Sequence, residues 1–336
     1  MKAIVLSAGL GTRLLPATNG LPKALFPFLN VPLIDRRLRA LVREGVTQVA
    51  VNLHHEGRQI VEHLGETGAE GAAIRFFWEP EILGTAGAVK NAETFFEDEE
   101  ILAIWNVDAE VPLDLARLAH AHRRDGNLAT LLVAPNPDPN RFTPLHADGS
   151  ALARIGGDGS EPLIFTGVSL LSRSALDRIP AGPCGLVEAL WRPVLAEGRE
   201  RIGIVFDGIR PFDLGTPGDV LAASMAAIET RRDFDPQEGV FDPRAKVLAL
   251  DPAIVPRGAQ RSVFGRASVS PGARVERSVI LHGADLRGEA EVSDSLVGAV
   301  SLAGDERVEK MFLWPADGGV TRISLHDTSQ RGFPAV

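Results

Sequence analysis

Short apolar runs alternate with segments of helical periodicity over the first two thirds of the chain. The runs that predict buried strands are Ala3 to Leu6, Val46 to Leu53, Ala73 to Trp78, Ile101 to Trp105 and Leu128 to Ala134. Helices are expected over Pro32 to Glu44, Gly57 to Leu64, Ala88 to Phe95 and Pro112 to Arg124. This alternation predicts an α/β fold, a Rossmann-like mixed, mostly parallel sheet with helices on both faces.

The pattern changes from about Ala253 onward. Alanine-led triplets such as Ala267-Ser268-Val269 and Ala290-Glu291-Val292 recur at intervals of about six residues, which predicts a short left-handed parallel β-helix. Two to three coils need capping, by the main domain or by another subunit, so a homo-oligomer through the β-helix is one expectation. We predict a catalytic domain over 1–235, a β-helix domain over 245–325 and a mobile tail over 326–336.

Composition narrows the class of protein. The net charge of −9 argues against a nucleic-acid partner, which would need a basic face. The single cysteine, Cys184, excludes an internal disulfide and fits a reducing compartment, so we expect a cytoplasmic protein. The N-terminal apolar run is too short for a signal peptide or a membrane span, and no membrane partner is expected.

The stretch Leu6 to Pro27, LSAGLGTRLLPATNGLPKALFP, carries the first chemistry. Gly9 and Gly11 follow a predicted strand and let backbone amides approach an anion. Arg13 can grip two phosphate oxygens, whereas Lys23 acts as a compact point charge. The stretch lacks the G-x-x-x-x-G-K-[ST] of a P-loop, and no carboxylate follows at the position that a dinucleotide fold requires.

This stretch resembles the sugar-1-phosphate nucleotidyltransferases, whose pattern is G-x-G-T-R-L-x-P followed by P-K-x-L-x-P. The resemblance implies that a nucleoside triphosphate and a sugar 1-phosphate are the substrates. It also implies that Arg13 holds the β- and γ-phosphates and that Lys23 contacts the phosphates at the reacting centre. The backbone that would hold the nucleotide with Arg13 belongs to Leu6, Ala8, Gly9, Gly11 and Thr12.

A second stretch, Glu79 to Gly87, is similar to the family's base-binding L-G-T-A-G segment, which implies nucleotide contacts from Gly84, Thr85 and Gly87. We expect a loop here, before the helix Ala88 to Phe95. One carboxylate can accept from the two adjacent donors of guanine, so Glu79 favours GTP, although the backbone is an alternative reader of the base.

Two aspartates match the metal ligands of the family. Asp108 follows the strand Ile101 to Trp105, and Asp213 precedes a Gly-Thr-Pro turn. The resemblance implies that they hold Mg²⁺, with waters and phosphate oxygens as further ligands. Asp108 could alternatively cap the next helix, but Asp114 lies nearer to the helix start and fits that role better.

The acceptor site departs from the family. Phe165-Thr166-Gly167-Val168 resembles the family's F-x-G segment, and Asn106, Gly167 and Glu188 are the predicted sugar-phosphate contacts. Many members carry an E-K-P triplet whose lysine contacts the sugar phosphate, yet no lysine occurs between Lys90 and Lys246. Either Arg154 or Arg141 substitutes for this lysine, or the acceptor phosphate is held in a different way.

Together these features predict a nucleotidyltransferase that makes a nucleotide sugar and releases pyrophosphate, with GTP and mannose 1-phosphate as the preferred pair. A UTP-dependent enzyme acting on N-acetylmuramate 1-phosphate or another sugar 1-phosphate is the alternative within the family. A non-catalytic regulator that binds a nucleotide sugar is the alternative outside it.

Overall fold

The computed structural model describes residues 1–67, 69–206, 212–231 and 234–325. These residues form two compact units. The first comprises Met1–Leu10, Pro22–Ala24 and Ile34–Asp213, and the second comprises Gly11–Leu21, Leu25–Leu33 and the described part of Leu214–Val336. The predicted tail, 326–336, lies outside the described residues, and the predicted domain limits stay a prediction.

Helices and short strands alternate up to Asp213. The α-helices among the described residues are α1 (Leu33–Arg43), α2 (Gly57–Thr67), α3 (Gly84–Asn91), α4 (Leu115–Arg124), α5 (Arg192–Glu197) and α6 (Pro217–Thr230). The strands up to Asp213 are β1 (Lys2–Leu6), β2 (Pro27–Phe28), β3 (Val31–Pro32), β4 (Gln48–Leu53), β5 (Ala73–Trp78), β6 (Ile101–Asn106), β7 (Ala109–Glu110), β8 (Ala129–Pro135), β9 (Leu145–Asp148), β10 (Ala151–Ile155), β11 (Leu163–Ser172), β12 (Ile202–Phe206) and β13 (Phe212–Asp213).

Nine of these strands form the central sheet of the first unit, in the order β5-β4-β1-β6-β11-β8-β12-β10-β9. β1 pairs in parallel with β4 and β6, and β12 pairs in parallel with β8. β10 and β11 run antiparallel to their neighbours. The predicted mixed, mostly parallel α/β sheet is confirmed, and the carboxyl ends of β1, β4, β5 and β6 share one edge.

Local chemistry explains most of these elements. β4 and β6 are almost wholly buried, as expected for continuous apolar runs within a parallel sheet. The carboxylate of Asp114 accepts from the amide of Arg117 at 2.8 Å and caps α4, which confirms the capping role predicted for it. The helix begins at Leu115, three residues after the predicted start.

The second unit contains a parallel β-helix. Its strands are β14 (Val240–Asp242), β15 (Val247–Ala249), β16 (Ser262–Phe264), β17 (Ser268–Val269), β18 (Arg274–Glu276), β19 (Val279–Ile280), β20 (Asp285–Leu286), β21 (Glu291–Ser293), β22 (Leu296–Val297), β23 (Ser301–Leu302), β24 (Arg307–Glu309), β25 (Met311–Ala316) and β26 (Gly319–Ser324). Three parallel ladders stack them: β15-β16-β19-β22-β25, β17-β20-β23 and β18-β21-β24.

Stacked apolar side chains fill this β-helix. One ladder contributes four fully buried side chains, Phe264, Ile280, Val297 and Leu313. Small buried alanines such as Ala290 pack with them. At the two ends of the longest ladder, β14 pairs antiparallel with β15 and β26 pairs antiparallel with β25. The chain itself therefore covers both end strands of that ladder. The predicted β-helix is confirmed, and its left hand stays a prediction.

Candidate functional site

The structure brings the two predicted metal ligands together in the first unit. β7 pairs antiparallel with β13, and this register places Asp213 opposite Ala109, the neighbour of Asp108 in sequence. The ammonium of Lys23 forms an ion pair with the Asp108 carboxylate. The guanidinium of Arg141 lies 3.8 Å from Asp213. Two carboxylates, each beside a cation, therefore lie at or next to the β7–β13 ladder.

Gly167, a predicted sugar-phosphate contact, lets β11 approach β7 and Asn106 closely. Gly167 lies at an irregularity of β11, between Phe165 and Ser169, and adopts φ +91°. A Cβ there would come within 2.5 Å of the Ala109 side chain and 3.3 Å of Asn106. Only glycine fits this contact, so the predicted contacts Asn106 and Gly167 lie together, next to the β7–β13 ladder.

The predicted phosphate loop is divided between the two units. In the first unit, the carbonyl of Leu6 accepts from the Val107 amide at 3.1 Å, and Ala8 and Gly9 follow directly in sequence. Gly11, Thr12 and Arg13 belong to the second unit.

Within the second unit, this part of the loop is internally bonded. Thr12–Leu14 forms a 3-10 turn, and the Gly11 carbonyl accepts from the Leu14 amide at 2.8 Å and from the Thr18 hydroxyl at 2.9 Å. The guanidinium of Arg13 lies against Gly215, where a Cβ would come within 2.6 Å of its carbon. A glycine at position 215 therefore makes room for Arg13.

The predicted base-binding loop is largely helical, which corrects the expectation that the helix begins at Ala88. α3 begins at Gly84 and so includes Thr85 and Gly87. The Cys184 carbonyl accepts from the amides of Ala86 at 3.0 Å and Gly87 at 3.2 Å. A chain segment about a hundred residues away thus satisfies amides that a helix start leaves without partners.

Glu79, the predicted base contact, is buried and bonded to two neighbouring segments of the chain. The residue is 4% exposed. One carboxylate oxygen accepts from the Asn52 side chain at 2.7 Å and the other from the Leu83 amide at 2.9 Å. Each carboxylate oxygen can accept a second hydrogen bond, so these contacts leave the guanine contact open, and that role of Glu79 stays a prediction. Its placement is that of a residue that positions the start of α3.

Asn52, which the sequence did not single out, bonds to two of the predicted site segments. Its side-chain oxygen accepts from the Ser7 amide at 2.7 Å, and its backbone carbonyl accepts from the Ser7 hydroxyl at 2.6 Å. Because its amide also bonds Glu79, Asn52 links the end of β1 to the start of α3. A polar residue near the end of the apolar strand β4 was the available signal.

Glu188, the third predicted sugar-phosphate contact, lies in a segment that bonds to α3. It is exposed and belongs to the π-helical turn Val187–Trp191, a rare conformation that is frequent at functional sites. Its carboxylate lies beside Gly185, where a Cβ would come within 2.5 Å of it. The Thr85 hydroxyl accepts from the neighbouring Leu186 amide at 2.9 Å, so Glu188 is next to α3.

The donor set at the β7–β13 ladder fits a divalent cation that keeps other ligands. Among the described residues, no group of three or more His, Cys, Asp or Glu side chains could hold a metal. Asp108 and Asp213 supply only two carboxylates, and their side chains are 20% and 27% exposed. Mg²⁺ is commonly bound by one or two carboxylates together with waters and substrate phosphates.

No helix in the described part of the chain is both long and apolar enough to cross a membrane.

Known proteins resemble this chain over most of its length. Residues 2–155 match the protein family described as Nucleotidyl transferase. The chain is 27% identical over 340 residues to a mannose-1-phosphate guanyltransferase of Debaryomyces hansenii, covering 96% of this chain and 90% of that protein. It is 29% identical over 290 residues to a mannose-1-phosphate guanylyltransferase of Mycobacterium tuberculosis, covering 84% of this chain and 80% of that protein.

A solved structure shows the same fold. HddC from Yersinia pseudotuberculosis superposes with a TM-score of 0.57 at 23% identity, over 66% of this chain and 97% of that one.

Proposed function

We propose that this protein transfers a nucleotidyl group from a nucleoside triphosphate to a sugar 1-phosphate and releases pyrophosphate, which the match of residues 2–155 to the Nucleotidyl transferase family supports. The preferred pair is GTP and mannose 1-phosphate, which the names of the relatives along most of the chain support. The observation that carries the proposal is the meeting of Lys23, Asp108 and Asp213 at the β7–β13 ladder. A cytoplasmic location belongs to the same proposal.

The proposed reaction is an in-line displacement at the α-phosphorus. An oxygen of the sugar phosphate forms the new bond, and the bond to the leaving pyrophosphate breaks. The acceptor is already anionic at neutral pH, so positioning and charge neutralisation carry the rate, and little acid–base chemistry is needed. Lys23 is 8% exposed, and a buried ammonium neutralises phosphate charge more strongly than an exposed one.

Arg13 and the backbone from Leu6 to Thr12 are proposed to hold the triphosphate. A guanidinium can bind two phosphate oxygens at once, and the glycines let amides approach closely. This role rests on the motif, G-L-G-T-R-L-L-P at residues 9–16. For the base, we propose that the α3 start contributes backbone at Gly84, with Glu79 acting on that backbone through its bond to the Leu83 amide.

Asp108 and Asp213 are the proposed ligands of Mg²⁺. Two carboxylates next to a polyphosphate would repel it, and a divalent cation held by Asp108 and Asp213 would offset that repulsion. When bound, the metal supplies electrostatic stabilisation of the charge that develops on the phosphates. Two side chains of the protein add positive charge at the same place: Lys23 lies beside Asp108, and Arg141 lies beside Asp213.

The first experiment is pyrophosphate release with Mg²⁺. GTP, UTP, ATP, CTP and dTTP are each tested with the 1-phosphates of mannose, glucose, N-acetylglucosamine, N-acetylmuramate and heptose. We expect release with GTP and mannose 1-phosphate. Release only with UTP and N-acetylmuramate 1-phosphate would establish the alternative enzyme, and silence from folded protein that binds nucleotide would favour the non-catalytic regulator.

The matched variants are Asp108→Asn and Asp148→Asn. Asp108→Asn removes one charge at the ladder, and we expect kcat to fall at least about 100-fold without a change in circular dichroism. Asp148 is an exposed residue of β9, so Asp148→Asn should keep wild-type turnover. Unchanged turnover in Asp108→Asn would remove Asp108 from the site.

A further inference from the structure

A buried arginine lies directly behind the β7–β13 ladder. Arg37, on α1, is 2% exposed. Its guanidinium donates to the carbonyl of Ala109 and to the carboxylate of Glu110, the two residues of β7. The indole of Trp105 donates to the same Ala109 carbonyl at 3.0 Å, and the guanidinium stacks 4.9 Å from the Trp105 ring. β7 is therefore held from two elements.

A second arginine completes the arrangement. Arg36 donates from Nε and Nη2 to the two oxygens of Glu110, at 3.2 and 2.5 Å. Burial raises the pKa of Glu110, but the nearby charges of Arg37 and Arg36 outweigh it and lower the pKa to about 2. Glu110 is thus a carboxylate at neutral pH. We call Arg36, Arg37 and Glu110 the ladder clamp.

The ladder clamp acts where the two proposed metal ligands meet. Asp108 immediately precedes Ala109, and the register pairs Ala109 with Asp213 and Glu110 with Phe212. The backbone that Arg37 holds is therefore the backbone that fixes Asp108 relative to Asp213. The clamp also carries one net positive charge, which favours carboxylates nearby.

We propose that Arg37 is a positioning residue that sets the spacing of Asp108 and Asp213 for a divalent cation. The proposal rests on the proposed function only in assigning those aspartates to a metal. β7 has only two residues and therefore few ladder hydrogen bonds of its own. The bonds from Arg37 and Trp105 to the Ala109 carbonyl hold it in place instead. Groups that orient metal ligands typically affect metal affinity by about 10- to 100-fold.

The test measures metal binding without turnover. Mn²⁺ is titrated into the protein in the absence of nucleotide and sugar phosphate, and free Mn²⁺ is followed by electron paramagnetic resonance. We expect Arg37→Gln to raise the Kd for Mn²⁺ at least about tenfold. In the turnover assay, the same variant should need a correspondingly higher Mg²⁺ concentration for half-maximal rate.

Arg39→Gln is the matched control. Arg39 lies on the same helix and pairs with Glu70 at 3.0 Å, so this variant removes an arginine–carboxylate pair without touching β7. Its Kd for Mn²⁺ should stay within about twofold of wild type. Equal losses in both variants would mean a general effect of α1 and would overturn the proposal.

The remaining outcomes are also decisive. If Arg37→Gln does not fold, Glu110→Gln replaces it, because glutamine keeps the volume and an acceptor but removes the charge; the same tenfold loss is expected. A folded variant with wild-type Mn²⁺ affinity, or a wild type that binds no Mn²⁺ at millimolar concentration, overturns the proposal. Wild-type protein that binds Mn²⁺ but releases no pyrophosphate would reject the proposed function alone.

Discussion

Two arginines were candidates for the missing sugar-phosphate lysine, and their side chains have different partners. Arg154 donates to the Asp158 carbonyl at 2.6 Å and so braces the turn after β10. Arg141 lies 3.8 Å from Asp213, and its side chain is 41% exposed. Its loop is ordered by local bonds, including one from the Asn136 side chain to the Phe142 carbonyl at 3.0 Å. Arg141 is the better placed of the two.

We therefore expect Arg141→Met to raise the KM for the sugar 1-phosphate about tenfold or more, because a guanidinium–phosphate contact is lost. The KM for the nucleoside triphosphate should change less than about twofold. Arg154→Met is the control and should leave both constants near wild type. Steady-state kinetics with each substrate varied in turn measures this, and the reverse order of effects would assign the acceptor phosphate to Arg154.

Among the secondary-structure elements, α3 shows how a distant segment of the chain determines where a helix starts. α3 starts at Gly84, where φ is +69° and a Cβ would come within 2.7 Å of the Cys184 carbonyl. The glycines of this segment predicted a loop, yet they serve close packing of a helix start against the segment around Cys184. Glycine spacing alone does not distinguish these two uses.

Buried serines link the coils of the β-helix. Ser262, Ser278 and Ser295 are each 0% exposed. Each hydroxyl donates to a carbonyl two residues earlier and accepts the amide of the residue stacked above it, at 3.1 to 3.2 Å. These hydroxyls satisfy amides at a corner of the β-helix, where the preceding residues Arg261, Arg277 and Asp294 adopt positive φ.

Ser278→Ala should therefore destabilise the β-helix by about 1–3 kcal/mol, since it leaves the Ser295 amide and the Glu276 carbonyl without this partner. Urea unfolding followed by circular dichroism measures the change. Ser301→Ala, at an exposed position of β23, should stay within about 0.5 kcal/mol of wild type. Equal effects of the two substitutions would contradict a structural role for the buried hydroxyl.

For the molecule as a whole, acid sensitivity should arise from groups buried in the first unit. His122 is 2% exposed, and its ring nitrogens lie 2.9 and 3.0 Å from the hydroxyls of Thr130 and Ser172. Burial, assisted by the charge of Arg123, lowers the pKa of His122 to about 4. The folded protein therefore keeps His122 neutral where the unfolded chain protonates it.

The sign of the pH effect follows from linkage. The unfolded chain binds a proton near pH 6.5 and the folded chain does so only near 4, so stability falls as the pH falls through that window. His122→Gln should reduce the loss of stability between pH 7.5 and 5.0. His120→Gln, at an exposed position of the same helix, should not. Urea midpoints at the two pH values test this, and identical pH dependence in all three proteins would contradict it.

Residues close in sequence were enough to predict most elements and to name candidate site residues. The apolar runs predicted β4, β5 and β6, and the alanine triplets predicted the β-helix, because strand and coil periodicities are local. The pattern around Gly9 and Lys23 predicted the chemistry, since the spacing of glycine and cations is also local. The sequence therefore determined the fold class and the family resemblance.

Tertiary structure decided which residues share a neighbourhood. The pairing of Asp213 with Ala109, the role of Asn52 and the ladder clamp, whose Arg37 and Glu110 are 73 positions apart, have no local pattern. Glu79 is the clearest case: the sequence suggested only a base contact, and the tertiary structure adds bonds from its carboxylate to Asn52 and Leu83. Hydrogen bonds between distant segments depend on how the strands and helices pack, and packing is set by the whole chain at once.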